Sequence, residues 1–249
     1  MTNQIEVTGM ILSAGPIGEY DRRLVILTRE RGKISAFAKG ARKPNSALVG
    51  QTGPFTFGRF TLYEGRSSYT VVSIQVDNYF EELRFDIEGA YYGLYFLDLI
   101  YYYTREGTDE SMPLGLLYQT LKALVKENIP NALVRSIFEL KLITIEGEGP
   151  QVFSCVITEK EIKEEAFFSV IQGGIVSKEA ANQVGDCFPI ETSTLYALQY
   201  IAGSRLEKLY TFLVTPKVLE ELQMICKRYL TYYIDKKFKS LDILETIIS

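Results

Sequence analysis

Near residue 80 the hydrophobic pattern of this chain changes from short alternating runs to longer stripes with helical spacing. Alternating runs favour half-buried strands, whereas apolar residues spaced three and four apart favour helices. Before the change there are five β-prone runs separated by turn residues, and they begin at Ile5, Leu24, Ile34, Phe55 and Ser68. The chain is therefore predicted to be of the α+β class, with strands first and helices afterwards.

Five short antiparallel strands within about 75 residues predict a small closed or nearly closed barrel of the OB-fold type. Arg29–Gly32 is expected to form a hairpin turn, because glycine reaches the positive φ that tight turns need. Gly58 is a candidate β-bulge in the fourth strand. In the fifth strand, period-two geometry would place four residues on one face: Thr70, Val72, Ile74 and Val76.

The part of the chain after residue 80 predicts a mainly helical domain. Helices are expected over 81–103, 114–126 and 132–145, and a further helix begins at Thr215, where a capping hydroxyl precedes Pro216. Its apolar stripe, with Cys226 buried beside it, is Val218, Leu222, Ile225, Tyr229 and Tyr233. Two domains are predicted, 1–80 and 81–249, and a small Gly-containing module over 149–189 lies inside the second.

The charge of the chain is divided unevenly between these two parts. Residues 1–80 contain ten Lys and Arg against six Asp and Glu, which is +4, and the whole chain carries −4, so the remainder carries −8. A basic barrel joined to an acidic helical part suggests a polyanion-binding module attached to a module with a different task.

The third strand carries the sharpest local pattern. Ile34, Ala36 and Ala38 share one face, and Lys33, Ser35, Phe37 and Lys39 share the other. An exposed ring between two ammonium groups can stack on bases while the cations meet phosphates. Alternatively, Phe37 belongs to a satellite core and the charges only solvate a strand. The DNA-binding candidates are Arg22, Arg23, Arg31, Lys33, Phe37, Lys39, Arg42, Lys43 and Arg66. Arg22 and Arg23 lie on opposite faces of their strand, so at most one of them points toward the predicted DNA-binding surface.

Several functional classes are disfavoured by the composition. The chain has no histidine, which excludes Ser-His-Asp and Cys-His catalysis and histidine-ligated metals. No Walker-type phosphate loop is present in the sequence. Pairs of adjacent acidic residues do not converge on a helix and are expected to be solvent-exposed, so an enzyme is the less favoured class. Three scattered cysteines suggest a reducing cytoplasm. No signal peptide and no membrane-spanning apolar run is evident.

Four stretches together carry a family resemblance: Gly18–Arg23, Arg29–Lys33, Phe37–Arg42, and Leu133–Leu142 followed by Gly147 and Phe168–Val170. In their order and spacing the chain resembles the bacterial RecO recombination-mediator family over essentially its full length. The resemblance implies an OB domain followed by a helical domain, often with a zinc module bound by two C-x-x-C pairs.

This chain departs from that zinc pattern. The first pair is reduced to Cys155 and Thr158, the second falls at Ser177 and Ala180, and Cys187 lies outside it. Four soft ligands cannot be assembled from three cysteines without histidine, so we expect no metal and no cofactor. The module would then be held by packing around Phe153, Phe167, Phe168 and Val170.

The resemblance also implies a non-catalytic role in DNA repair, in a cytoplasmic, nucleoid-associated protein. RecO-like proteins bind single- and double-stranded DNA, anneal complementary strands, and with RecR help to load RecA onto DNA coated by single-strand-binding protein. The helical half can dock the acidic tail of that protein, for which the candidate cations are Lys122, Lys126, Arg135 and Lys141. Each of these could instead simply solvate a helix. The alternatives are an OB-fold RNA-binding factor and a protein-only adaptor.

Overall fold

A computed structural model describes residues 3–66, 68–126, 128–162 and 165–248. The chain forms two compact units. The first runs to Val125 and resumes at Phe238, and the second spans Lys126–Lys237. Within the described ranges, no helix is both long and apolar enough to cross a bilayer.

The strands of the first unit close into the predicted barrel, in the order β1-β2-β3-β5-β4. Their bounds are Gln4–Ile17 for β1, Asp21–Thr28 for β2, Gly32–Ala38 for β3, Phe57–Glu64 for β4 and Tyr69–Asn78 for β5. The β3–β5 pair is parallel and the other pairs are antiparallel. The α+β class with an N-terminal five-stranded barrel is thereby confirmed.

The barrel interior is filled by aliphatic side chains, Phe60 and Tyr69, which come mostly from alternate positions of the strands, as period-two geometry requires. The prediction that Thr70, Val72, Ile74 and Val76 share one face of β5 is wrong. The register shifts between Thr61 and Leu62, where an extra residue in β5 turns the strand. As a result the interior receives Tyr69, Val71, Ile74 and Val76.

The register shifts at Gly58 as expected, but the bulged strand is β5, whose extra residue is Asp77, and not the fourth strand as predicted. The two strands approach closely at this point. A Cβ atom on Gly58 would lie 2.2 Å from the carbonyl oxygen of Gln75, which explains why only glycine fits.

Three α-helices complete the first unit: α1, Ile87–Tyr103; α2, Ser111–Val125; and α7, Lys239–Ile248. The single helix predicted over 81–103 is divided into a 3₁₀ turn, Glu81–Arg84, and α1. The Asp86 side chain caps α1 by accepting a hydrogen bond from the Gly89 N–H at 3.0 Å, which fixes a new helix start. Helix α7 packs on α1, where Ser240 donates to the Asp98 carboxylate at 2.5 Å.

The second unit contains α3, Asn131–Ile145; α4, Lys178–Ala181; α5, Thr192–Gly203; and α6, Pro216–Tyr233. A small antiparallel sheet has the order β7-β6-β8, with β6 Ala166–Ser169, β7 Gly174–Ser177 and β8 Phe188–Ile190. Thr215 caps α6 as predicted, and Cys226 is buried. Phe168 and Val170 are buried in the module, but Phe153 is 54% exposed, so its predicted core role is wrong. Phe153 lies in a bend outside the strands of the module, where its N–H donates to the Gln151 side chain at 3.0 Å.

Candidate nucleic-acid interface

A continuous row of side chains crosses the outside of the barrel from strand to strand. Arg23 of β2 is opposite Phe37 of β3, Phe37 is opposite Thr70 of β5, and Thr70 is opposite Tyr63 of β4. Directly opposed residues in a sheet point to the same face, so these four form one outer row. With neighbouring strands about 4.8 Å apart, the row extends about 14 Å across the barrel.

The row begins with an oriented guanidinium. Arg23 donates a hydrogen bond from Nε to the Ser35 hydroxyl at 3.0 Å, which holds the side chain against the outer face of β3. Phe37 is half-buried, and the Tyr63 side chain is 41% exposed at the far end. The arrangement gives a cation and two aromatic surfaces on the same side of the barrel.

Two loops near Arg23 and Phe37 carry most of the remaining candidate cations. The N–H of Arg42 donates to the Tyr20 carbonyl at 2.8 Å, and the N–H of Gly40 donates to the Asp21 carboxylate at 2.7 Å. The Lys43 ammonium lies 5.5 Å from the centre of the exposed Tyr20 ring. The turn after β1 and the loop after β3 thus form one cationic loop pair, which contains Tyr20, Lys39, Arg42 and Lys43.

Arg66 belongs to the opposite end of the row. Strand β5 runs parallel to β3 and enters the barrel with Tyr69 beside Ala36, so the turn before Tyr69 leads toward the Gly32 end of β3. Arg31 lies in the β2–β3 turn at that same end, where its carbonyl accepts a hydrogen bond from Gly107 at 3.0 Å. Basic residues therefore flank the row on the Ala38 side of β3 and on its Gly32 side.

Arg22 and Lys33 are held away from the outer row by structural partners. Arg22 points to the other side of β2 from Arg23 and donates to the carbonyl and hydroxyl of Thr52, at 3.1 and 3.0 Å. Lys33 donates to the Tyr101 carbonyl and sits 4.0 Å from the centre of the Tyr101 ring. Arg22 holds the loop between β3 and β4, and Lys33 fixes β3 to the end of α1.

The four cations predicted for partner docking fall in different surroundings. Lys122 lies in the first unit, with its ammonium 5.7 Å from the centre of the Tyr118 ring, and the other three lie in the second. Arg135 pairs with buried Glu139 at 2.8 Å. Lys141 is buried and donates to the carbonyls of Ala202 and Ser204 at 2.8 and 2.7 Å, and burial lowers its pKa. Lys122 and Lys126 are exposed.

The positions matched to the family's zinc pattern come together in the module. The Cys155 Sγ lies 3.7 Å from the Ser177 hydroxyl and accepts hydrogen bonds from the N–H groups of Ser177 and Thr158 at 3.3 and 3.5 Å. Ala180 belongs to the same buried cluster. Among the described residues, no three His, Cys, Asp or Glu side chains are grouped so that they could hold a metal. The absence of zinc from the protein stays a prediction.

Sequence reasoning missed Tyr20 and Tyr63 as parts of this surface, whereas Ser35 was placed on the outer face of the third strand. Tyr63 could have been found from the outward alternation of β4, because Arg59, Thr61 and Tyr63 are two residues apart. Tyr20 could not, because its place beside Lys43 depends on a contact between two loops.

Known families match both parts of the chain. The family model described as Recombination protein O N terminal matches residues 1–80, and the one described as Recombination protein O C terminal matches residues 84–242. Similar curated proteins are named DNA repair protein RecO. That of Acetivibrio thermocellus is 31% identical over 246 residues, 98% of each chain. That of Alkaliphilus metalliredigens is 33% identical over 244 residues, 98% of this chain and 99% of the relative.

Proposed function

The chain belongs to the Recombination protein O (RecO) family of DNA repair and recombination proteins, and on this premise we propose that its barrel binds DNA along the outer row and the cationic loop pair. The observation that carries the proposal is the row Arg23, Phe37, Thr70 and Tyr63 with basic loops at its ends. In OB-folds, the strand 2–3 face and the adjoining loops are the usual place for oligonucleotides.

The residues divide into two roles in this proposal. Phosphates meet Arg23, Lys39, Arg42, Lys43 and Arg66, and bases stack on Phe37 and Tyr63. Arg22 and Lys33 position the strands and loops that carry these groups, and the backbone of Arg31 holds the β2–β3 turn. Stacking is tolerant of sequence because every base has a π-face, so binding to single strands needs no base-specific hydrogen bonds. Duplex DNA would use the phosphate contacts alone.

The same chemistry suits a mediator that performs no bond-breaking step. Annealing requires that the charge repulsion between two backbones be neutralised while the bases remain accessible. We assign the protein this role: it binds single- and double-stranded DNA, promotes annealing and, with RecR, helps to load RecA onto DNA coated by single-strand-binding protein. Binding tests with RNA distinguish this role from that of an RNA-binding factor. Binding tests with partner proteins in the absence of nucleic acid distinguish it from that of a protein-only adaptor.

The salt dependence of binding to labelled oligo(dT) tests the DNA proposal. Five phosphate contacts on single-stranded DNA give a log–log slope of about −3.5. Combining Lys39→Glu, Arg42→Glu and Lys43→Glu should bring the slope to about −1.4, because three of the five contacts are lost. The matched control is Lys160→Glu, Lys208→Glu and Lys237→Glu, three exposed lysines of the second unit with the same change in charge. An unchanged slope and affinity in the barrel variant would remove this surface, and tighter binding to an RNA of equal length would favour the RNA-binding alternative.

We further propose that the helical half docks the acidic C-terminal tail of single-strand-binding protein, with Lys122 and Lys126 in contact with it and Arg135 and Lys141 supporting the helices. A labelled tail peptide should bind the full chain in the micromolar range, about 8 kcal/mol. Lys122→Glu with Lys126→Glu should weaken binding at least fivefold, whereas the triple barrel variant should bind as the unaltered protein does. The opposite pattern would place the tail on the barrel.

A further inference from the structure

Two large apolar side chains project into solvent where the first unit passes from its 3₁₀ turn into α1. Phe85 is 89% exposed and Ile87 is 69% exposed. They flank Asp86, whose carboxylate accepts a hydrogen bond from the Gly89 N–H at 3.0 Å, and the Phe85 N–H donates to the Glu82 carbonyl at 3.1 Å. These hydrogen bonds fix the backbone on both sides, so the two side chains are presented in set positions and lose little entropy on binding.

The exposed face of α1 continues this apolar surface. Ile87, Tyr91 and Leu94 are spaced four and three residues apart, which places them one above another on one side of the helix. Leu94 is exposed, and Tyr91 is half-buried. At 1.5 Å per residue, the face extends about 10 Å along α1 from the turn.

Helix α7 runs back along α1 toward Ile87. Ser240 contacts Asp98, from which α1 extends eleven residues toward Ile87 and only five toward Tyr103. Helix α7 extends about 12 Å beyond Ser240, a length that α1 matches only on the Ile87 side. Leu244, one turn beyond Ser240, is fully buried, so α7 stays packed on α1 over this length. The two helices are therefore antiparallel.

This arrangement brings exposed side chains of both helices to one side of the pair. Ile243 and Ile247 are one turn apart on α7 and lie to one side of the buried Leu244. At 3.6 residues per turn, they are displaced from the line of helix contact in the same rotational sense as Ile87 and Leu94 are on α1. In antiparallel helices, equal displacements face the same side. The resulting apolar patch consists of Phe85, Ile87, Leu94, Ile243 and Ile247.

The segments that carry the apolar patch are acidic. Residues 81–103 contain five Asp and Glu against one Arg, and residues 239–248 contain two against one Lys. Glu81 and Glu82 are exposed in the 3₁₀ turn that leads to Phe85. The rim of the patch thus has the opposite sign to the DNA-binding surface of the barrel. Nucleic acid and anionic lipid surfaces are repelled by these carboxylates, and cationic partners are attracted.

We propose that this apolar patch docks a cationic amphipathic helix of a partner protein, with its apolar face against the patch and its lysines or arginines against Glu81 and Glu82. A helix fits because the ridges of two packed helices leave a groove that a third helix can fill. Exposed apolar side chains are normal when they are scattered, but a contiguous set with a rim of one charge marks an interaction site. The patch lies within the first unit and uses none of the cations assigned to DNA or to the tail of single-strand-binding protein.

The test measures fluorescence anisotropy of the full chain with the labelled peptide Ala-Lys-Gln-Leu-Lys-Ala-Leu-Leu-Lys-Gln-Leu-Lys-Ala-Leu, whose leucines fall on one helical face. A second peptide has the same composition in an order that spreads the leucines around the helix, and a third has Glu in place of every Lys. The first peptide should bind. The other two should bind at least tenfold more weakly, because one lacks the apolar face and the other has the wrong charge.

Phe85→Ser combined with Ile87→Ser should weaken binding of the first peptide at least tenfold, or about 1.4 kcal/mol. Ile243→Ser combined with Ile247→Ser should act in the same way, since all four side chains are exposed and their loss leaves the core intact.

The matched control for these variants is Ile157→Ser with Leu213→Ser, two exposed apolar residues of the second unit, which should leave affinity within twofold. Glu81→Lys with Glu82→Lys should weaken binding at least fivefold. Its own control, Glu179→Lys with Glu207→Lys, changes exposed acids of the second unit and should have no such effect.

Equal affinity in the patch and control variants, equal affinity for the reordered peptide, or no measurable binding would each overturn the proposal. Sedimentation velocity of the protein alone checks for a second copy on the same face. A dimer that Phe85→Ser with Ile87→Ser dissociates would assign the patch to self-association instead. Oligo(dT) affinity should be the same in all patch variants, so failure here is separate from failure of the DNA proposal.

Discussion

Arg22 and Arg23 are sequence neighbours with opposite tasks, because successive residues of a strand face opposite sides. Arg22 donates twice to the buried Thr52, and Arg23 lies on the outer row. We predict that Arg22→Ala lowers the free energy of unfolding by about 1–3 kcal/mol, because it leaves buried acceptors unsatisfied. Arg23→Ala should change it by less than about 0.5 kcal/mol while weakening oligo(dT) binding severalfold.

Urea denaturation and anisotropy on the same two proteins measure both effects. Equal destabilisation by the two substitutions would mean that Arg23 is also a structural residue. Unaltered DNA binding in Arg23→Ala would exclude it from the row of phosphate contacts.

At the level of single residues, the alternation of buried and exposed side chains along a strand could be predicted from the sequence. The contacts that a side chain makes with residues far away in the sequence could not. The pattern of β3 separates Lys33 and Phe37 from the buried Ile34 and Ala36. It does not reveal that the Lys33 ammonium is bound to Tyr101, because that partner is 68 residues away. The cations of the loop pair have looser contacts, since Lys43 lies 5.5 Å from the Tyr20 ring and Arg42 donates to the Gly18 carbonyl at 3.5 Å. Both side chains are exposed, so they are the stronger candidates for phosphate contact.

Among the elements, the module between α3 and α5 brings Cys155 close to Ser177 and Thr158. Desolvation opposes ionisation of this thiol, but hydrogen bonds from the Thr158 hydroxyl and from the N–H groups of Ser177, Thr158 and Ile157 outweigh it and lower the pKa of Cys155 to about 7. In a tetrahedral zinc–thiolate site with bonds of about 2.3 Å, neighbouring sulfurs are about 3.8 Å apart. The distance between the Cys155 Sγ and the Ser177 hydroxyl oxygen is 3.7 Å.

We therefore predict that Thr158→Cys, Ser177→Cys and Ala180→Cys together create a zinc site, whereas the unaltered protein carries well below one zinc per chain. Elemental analysis measures the metal content of both proteins. A chelator should lower the melting temperature of the triple variant only, because bound metal contributes directly to folding free energy. Stoichiometric zinc in the unaltered protein, or none in the triple variant, would show that these four positions are wrongly matched.

The elements that sequence analysis misplaced are those decided by distant contacts. Strand β5 changes its buried face because an extra residue meets β4, and alternation within one strand cannot report a bulge set by its neighbour. Helix α5 was not predicted at all, although its Leu195, Leu198 and Ile201 are buried at helical spacing. By contrast, α6 was predicted to its first residue because its start signal is local, a threonine cap followed by proline.

For the whole molecule, the sequence predicts the order of strands and helices, since both patterns are local. The domain boundary at residue 80 stays a prediction. In the structure, α1, α2 and α7 form a compact unit with the barrel, and the second unit is an insertion between Val125 and Phe238. This division depends on packing between residues far apart in the chain, such as Phe238 with Tyr95 and Tyr102, whose ring centres are 6.0 and 5.9 Å apart from it.

Because α7 belongs to the first unit but is synthesised last, the first unit cannot complete its packing until the whole second unit has been synthesised. The ribosome makes the barrel first, but the partner that covers Tyr95 and Tyr102 emerges only after the entire inserted unit. At about 5–20 residues per second, that delay is on the order of ten seconds, during which the barrel unit has one apolar flank still open. The first part of the protein to be synthesised is therefore the last to be completed.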